Sequence, residues 1–111
     1  MSTMTASERI TAEVTSWPGA EAGEGRRGEL SFTVGGREIG HLHGDHAAHF
    51  GFPRKVWAEL IERGRIVRHP IDHDGWGARQ LESDDDVAEA IALMRLNYDR
   101  AVSRHGLPSA A

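Results

Sequence analysis

Between Glu29 and His43 the chain carries a pattern that a β-hairpin satisfies. Leu30, Phe32 and Val34 alternate with Ser31 and Thr33, Gly35-Gly36 interrupts, and residues 37–43 resume an extended run. Two consecutive glycines supply the positive φ that a two-residue hairpin turn requires at both central positions. With that turn Val34 faces Arg37 and Phe32 faces Ile39, so Leu30, Phe32, Val34, Ile39, His41 and His43 are expected on one face. The register thus predicts two histidines on the apolar side of the hairpin.

Helical patterns flank it. Thr5-Ala6-Ser7-Glu8 reads as a capping box, and Ile10, Val14 and Trp17 follow at helical spacing in a helix that should end before Pro18. Residues 19–28, with four glycines and no periodicity, are expected to form an exposed loop. Pro53 suits the first position of a second helix, whose apolar stripe is Val56, Trp57, Leu60 and Ile61, ending at Gly64. Residues 65–69 and 76–81 read as two short strands joined by a turn over Pro70-Ile71-Asp72-His73-Asp74-Gly75. Ser83 caps a last helix buried along Val87, Ile91, Met94, Tyr98 and Ala101, with Gly106 and Pro108 at its end. The order α-β-β-α-β-β-α predicts a single small α+β domain over residues 1–111, an antiparallel sheet with helices on one side and flexible ends at 1–4 and 105–111.

Several functions are excluded or disfavoured. A chain of 111 residues has room for one core, and without cysteine it has neither disulfides, thiol catalysis nor a thiolate metal site. The net charge of −4 speaks against a nucleic-acid partner, although residues 54–79 carry a slight positive excess able to hold one anion. No apolar run approaches the roughly 20 residues that span a bilayer, and MSTMTASERI lacks the features of a signal peptide, so no membrane role and a cytoplasmic location are expected.

The segment GHLHGDHAAHF places His41, His43, His46 and His49, four of the seven histidines, within nine positions. Residues two apart on a strand project to the same side about 6.5 Å apart, so His41 and His43 can reach one divalent metal ion. A third ligand is needed, with His69 first and Asp45, His46 or His49 as alternatives. The plain reading makes His41 and His43 hydrogen-bonded histidines at the sheet edge and puts His46 and His49 in a solvated loop. Asp45 is expected to cap its own turn, and Asp84-Asp85-Asp86 to serve the helix dipole. Trp17 and Trp57 fall on core stripes, while Trp76 between two glycines is the aromatic available to a pocket. Nothing offers a flavin or nucleotide fingerprint or a hydrolase triad, and the cofactor stays open beyond a divalent metal.

The succession Arg37-Glu38-Ile39-Gly40-His41-Leu42-His43-Gly44, then Phe52-Pro53-Arg54, Glu62-Arg63-Gly64, Arg68-His69-Pro70, Gly75-Trp76, and the helix from Asp86 through Asn97-Tyr98 resembles the luciferase-domain proteins over roughly residues 10–102. The resemblance implies a pattern that includes His41, His43, Pro53 and His69, and it does not imply light emission. The closing helix and the helix-hairpin start are also similar to MmcQ/YjbR-like proteins, an α+β fold proposed to bind DNA. The expected function is binding of a small molecule or a protein partner by His41, His43 and His69, with Arg54 supplying charge and Trp76 an apolar wall. The alternatives are a metal-dependent enzyme using the three histidines and a DNA-binding module. Oligomeric state stays open.

Overall fold

The computed structural model describes residues 3–69 and 74–108. Helix α1 (Ala6–Val14) starts at the capping box: Glu8 N donates to Thr5 Oγ1 at 3.1 Å, and Thr5 N donates to Glu8 Oε1 at 2.8 Å. Trp17 follows outside the helix, buried, its indole Nε1 donating to Glu13 Oε2 at 3.0 Å.

The loop expected at 19–28 is corrected. Ala20–Glu24 forms strand β1, antiparallel to β2 (Leu30–Val34). Ala20 is the one buried side chain of β1, so the strand has no apolar alternation by which to recognise it. As the outermost strand it carries Glu21 and Glu24, charges of the kind that discourage edge pairing with another chain.

β2 joins β3 (Arg37–His43) through Gly35 at φ 58° and Gly36 at φ 78°. Val34 pairs with Arg37 as expected, but the register then slips. Thr33 pairs with Glu38 and Phe32 with Gly40, which leaves Ile39 inserted as a β-bulge. The predicted face is therefore overturned: Ile39 and Leu42 are buried together with Phe32 and Val34, and His41 and His43 project from the other side of the sheet. Magnitudes explain the preference. An unbulged register would push two imidazoles into the core, at roughly 1–3 kcal/mol for each unsatisfied polar group. It would also leave Leu42 exposed, losing about 2 kcal/mol of burial.

The bulge disturbs one step of the ladder, and α3 (Asp84–His105) repairs it. Asn97, buried on that helix, donates from Nδ2 to the carbonyl oxygens of Ile39 at 3.3 Å and Gly51 at 2.9 Å. Gly40 permits the close approach, because a Cβ there would stand 3.0 Å from Phe50 Cδ1 and 3.1 Å from Met94 Cε.

A second strand missed by periodicity, β4 (Ala47–Gly51), pairs with β3 after a turn at 44–46. Ala48 and Phe50 point into the core, and His49 points away from it, so His49 belongs to a strand and not to the expected loop. Asp45 does not cap its own turn. Its Oδ1 accepts from Ser7 N at 2.9 Å, which ties the β3–β4 turn to the first turn of α1.

Pro53 is the N-cap of α2 (Arg54–Glu62), one position ahead of the expected place, and Trp57 and Leu60 are its buried residues. β5 (Val67–Arg68) and β6 (Trp76–Gln80) complete a six-stranded antiparallel sheet of order β1-β2-β3-β4-β6-β5. Ser83 and Asp86 cap α3 reciprocally, and the helix runs through His105 to Gly106. The helices share one core with the inner face of the sheet, an α+β arrangement as expected. The turn expected over Pro70-Ile71-Asp72-His73 and the ends at 1–2 and 109–111 lie outside the described residues. No helix among the described residues is long and apolar enough to cross a membrane.

Candidate functional site

The outer face of the sheet gathers histidines from neighbouring strands. His41 and His43 stand two apart on β3, and β4 pairs so that His49 lies directly opposite His41. Ring centroids are 5.1 Å apart for His41 and His43, 5.2 Å for His41 and His49, and 4.4 Å for His43 and His49. One ring nitrogen from each of the three lies within 4.8 Å of the others. His69, just past β5, packs its ring 4.4 Å from that of His49.

Trp76 forms a wall beside them. It pairs with Gly51, and that glycine makes room for the indole: a Cβ at 51 would stand 3.4 Å from Trp76 Cζ2. The Trp76 ring lies 5.9 Å from that of His41, and its carbonyl is anchored by Trp57 Nε1 at 2.9 Å. These side chains, with Arg27, Glu29 and Glu38, line an open cavity of about 390 Å³, within the range of small-molecule sites.

Electrostatics favour one tautomer of His41. Its Nδ1 is 3.0 Å from Glu38 Oε2, while Ser31 Oγ donates to Glu38 Oε1 at 2.9 Å. Partial burial pushes the Glu38 carboxyl up, but the hydrogen bonds from His41 and Ser31 outweigh it and hold the group below its ordinary value. An ionised carboxylate has no proton to offer, so the hydrogen of this contact sits on His41 Nδ1, and in the neutral ring the lone pair is then on Nε2. Histidines that ligate metals are commonly oriented by a carboxylate in the same way. Glu29 is also held below its ordinary range, chiefly by the backbone N–H of Arg27 and its own N–H, with a smaller contribution from His41 and His43.

Metal–nitrogen bonds of about 2.0–2.1 Å at tetrahedral angles place ligand nitrogens about 3.3 Å apart. Closing separations of up to 4.8 Å to that distance would take rotamer adjustments of up to about 1.5 Å per pair of rings. With three protein ligands on one side, the positions facing the cavity would remain for water or a ligand.

Of the residues singled out in the sequence, His41, His43, His69 and Trp76 meet in this cavity, and Arg54 does not line it. Arg54 is exposed on the first turn of α2 and pairs with Asp74 at 2.9 Å, an acid it shares with Arg68. His46 is exposed in the turn. The third histidine within reach of His41 and His43 is His49, where the sequence favoured His69; the alternation Ala48-His49-Phe50 was the available signal. Glu29, Glu38 and Arg27 were not anticipated, because their convergence depends on the hairpin register.

The family model described as Luciferase domain matches residues 36–97, more than half of the chain and the segment that carries the bulge, the histidines, Trp76 and Asn97. No curated protein and no solved structure matches the chain.

Proposed function

The chain belongs to the Luciferase domain family, and from that premise we propose that it binds a small ligand at the outer face of the sheet, through a divalent transition-metal ion held by His41, His43 and His49. The observation that carries this reading is the convergence of the three ring nitrogens within 4.8 Å. The carboxylate of Glu38 behind His41 supports it, as does a cavity large enough for a ligand on the open side. An imidazole set without thiolates suits zinc, copper, iron or nickel.

Metal analysis of protein made without a histidine tag tests the proposal, before and after reconstitution with zinc, iron and copper salts. About one equivalent of metal is expected, lost when His49 or His43 is replaced by alanine. Less than about a tenth of an equivalent of every metal after reconstitution would end the idea.

A second reading, metal-assisted catalysis, is favoured by His69. Its ring lies against His49 at 4.4 Å, a titratable group beside the coordination positions that face the cavity. Hydrolysis of small activated esters by the loaded protein, reduced in His69→Gln with metal content unchanged, is the result expected of it. DNA binding gains no support, because the net charge is −4 and six of the arginines are engaged with carboxylates.

A further inference from the structure

We propose a second ligand site, opening away from the histidine cavity with Glu38 shared between the two, in the cleft between the tip of the β2–β3 hairpin and the last turns of α3. Its ligand is a small dianionic oxyanion, either a phosphoryl group or a pair of carboxylates. The cleft has a volume of about 200 Å³, and its walls bring together Arg37 from β3 with Arg100, Arg104 and His105 from α3.

The arginines here lack the carboxylate partner that six others in the fold have, and they stand together. Arg9, Arg54, Arg65, Arg68, Arg79 and Arg95 each pair with an aspartate or glutamate. Among the described residues, Arg37, Arg100 and Arg104 have no carboxylate at salt-bridge distance, and Arg100 makes only a long contact to Asn97 Oδ1 at 3.4 Å. Acids outnumber Lys and Arg by 17 to 13 in this chain, so three guanidiniums left together are not explained by a shortage of partners.

The one acid in the wall, Glu38, makes no ion pair with the three arginines, and its single negative charge leaves their positive charge in excess. Both oxygens of Glu38 are engaged, Oε1 by Ser31 and Oε2 by His41. Nor does the helix dipole account for the cluster. It favours cations in the last turn, which covers Arg104 and His105, but Arg37 arrives from a different strand and Arg100 lies more than a turn back.

Size and geometry select the ligand. The cleft is smaller than the roughly 300–1,000 Å³ of drug-sized pockets, but it admits a phosphate-sized group. Planar guanidinium forks match pairs of oxyanion oxygens and form the stronger, charge-assisted class of hydrogen bond.

The test is a titration of ¹⁵N-labelled protein followed by NMR, with inorganic phosphate in one arm and succinate in the other, at constant ionic strength adjusted with chloride. Saturable shifts are expected at the amides of Arg37, Ala101 and His105 in at least one arm. Saturation with phosphate alone identifies a phosphoryl ligand, and with succinate alone a paired carboxylate. Both Arg37→Gln and Arg104→Gln change exposed side chains and are expected to weaken binding about tenfold or more, while His49→Ala leaves it unchanged. Unsaturating shifts in both arms, or affinity within about twofold of the parent in either arginine variant, would overturn the proposal.

Discussion

Asn97 Nδ2 lies 3.3 Å from the carbonyl oxygen of Ile39, the residue that β3 inserts opposite β2. One buried amide on the last helix thereby secures the bulge that decides which way His41 and His43 point. Asn97→Ala removes the donor to two backbone carbonyls and opens a small cavity, and it is expected to destabilise the fold by about 2–4 kcal/mol. Urea unfolding checks this: a midpoint unchanged from the parent would mean that the bulge is held by something else.

Gly40 is the second determinant of the same bulge. A methyl group there meets Phe50 Cδ1 at 3.0 Å and Met94 Cε at 3.1 Å, and both contacts belong to fully buried side chains. Gly40→Ala should cost about 1–3 kcal/mol by overpacking. Gly40→Ala combined with Met94→Leu should recover part of that loss, because leucine has no Cε, while the contact with Cγ at 3.2 Å stays. A double variant no more stable than Gly40→Ala, measured by thermal unfolding, would place the strain elsewhere.

His49 and His46 separate the metal reading from a general affinity of histidines for metal. His49 is a strand residue facing His41, whereas His46 is exposed in the turn. His49→Ala is expected to weaken zinc binding on the order of 100-fold or more, and His46→Ala to leave it within about twofold. Calorimetric titration with zinc decides between them. Equal losses in the two variants would point to loose surface binding.

The helices were legible in the sequence because their caps and stripes are local. The Thr5–Glu8 and Ser83–Asp86 signals stand where helices begin. β1 and β4 were not legible, since β1 buries a single alanine and β4 offers alanines and a glycine around His49 and Phe50. The hairpin turn is legible in Gly35-Gly36, but an insertion at Ile39 does not follow from counting outward from it. The hint was Leu42, an apolar residue between two histidines that a regular register would have exposed. The candidate site inherits both gaps. His49 comes from a strand without a clear signature, and Glu38 reaches His41 because of the bulge.

In the proposed metal site Glu38 would act on the ion through His41. Replacing it with glutamine keeps the size and one acceptor but removes the charge that fixes the His41 proton on Nδ1. Glu38→Gln is expected to lower zinc affinity about 10–100-fold while the thermal midpoint without metal stays close to that of the parent. Zinc titration and calorimetric unfolding on the same samples separate the two effects. Undiminished affinity would remove Glu38 from the site.

Asp86 provides the clearest prediction for pH. Its carboxylate accepts from the backbone N–H of Glu82 at 2.9 Å and of Ser83 at 3.1 Å, and from Arg79 Nη2 at 2.9 Å. The Glu82 N–H leads in holding its carboxyl below the ordinary range, with Arg79 and Ser83 adding to it against partial desolvation. A folded value depressed below the unfolded one of about 3.9 stabilises the fold above that pH and ceases to do so as pH falls through the folded value. Asp86→Asn should therefore be less stable than the parent at neutral pH, with the difference narrowing as pH drops below about 4. Comparing the two proteins isolates Asp86 from the other depressed carboxylates, Glu29, Glu38 and Asp74, which titrate in both. Unfolding curves from pH 7 down to about 2.5 supply the measurement, and a gap that stays constant over that range would show that the cap works through shape and not through charge.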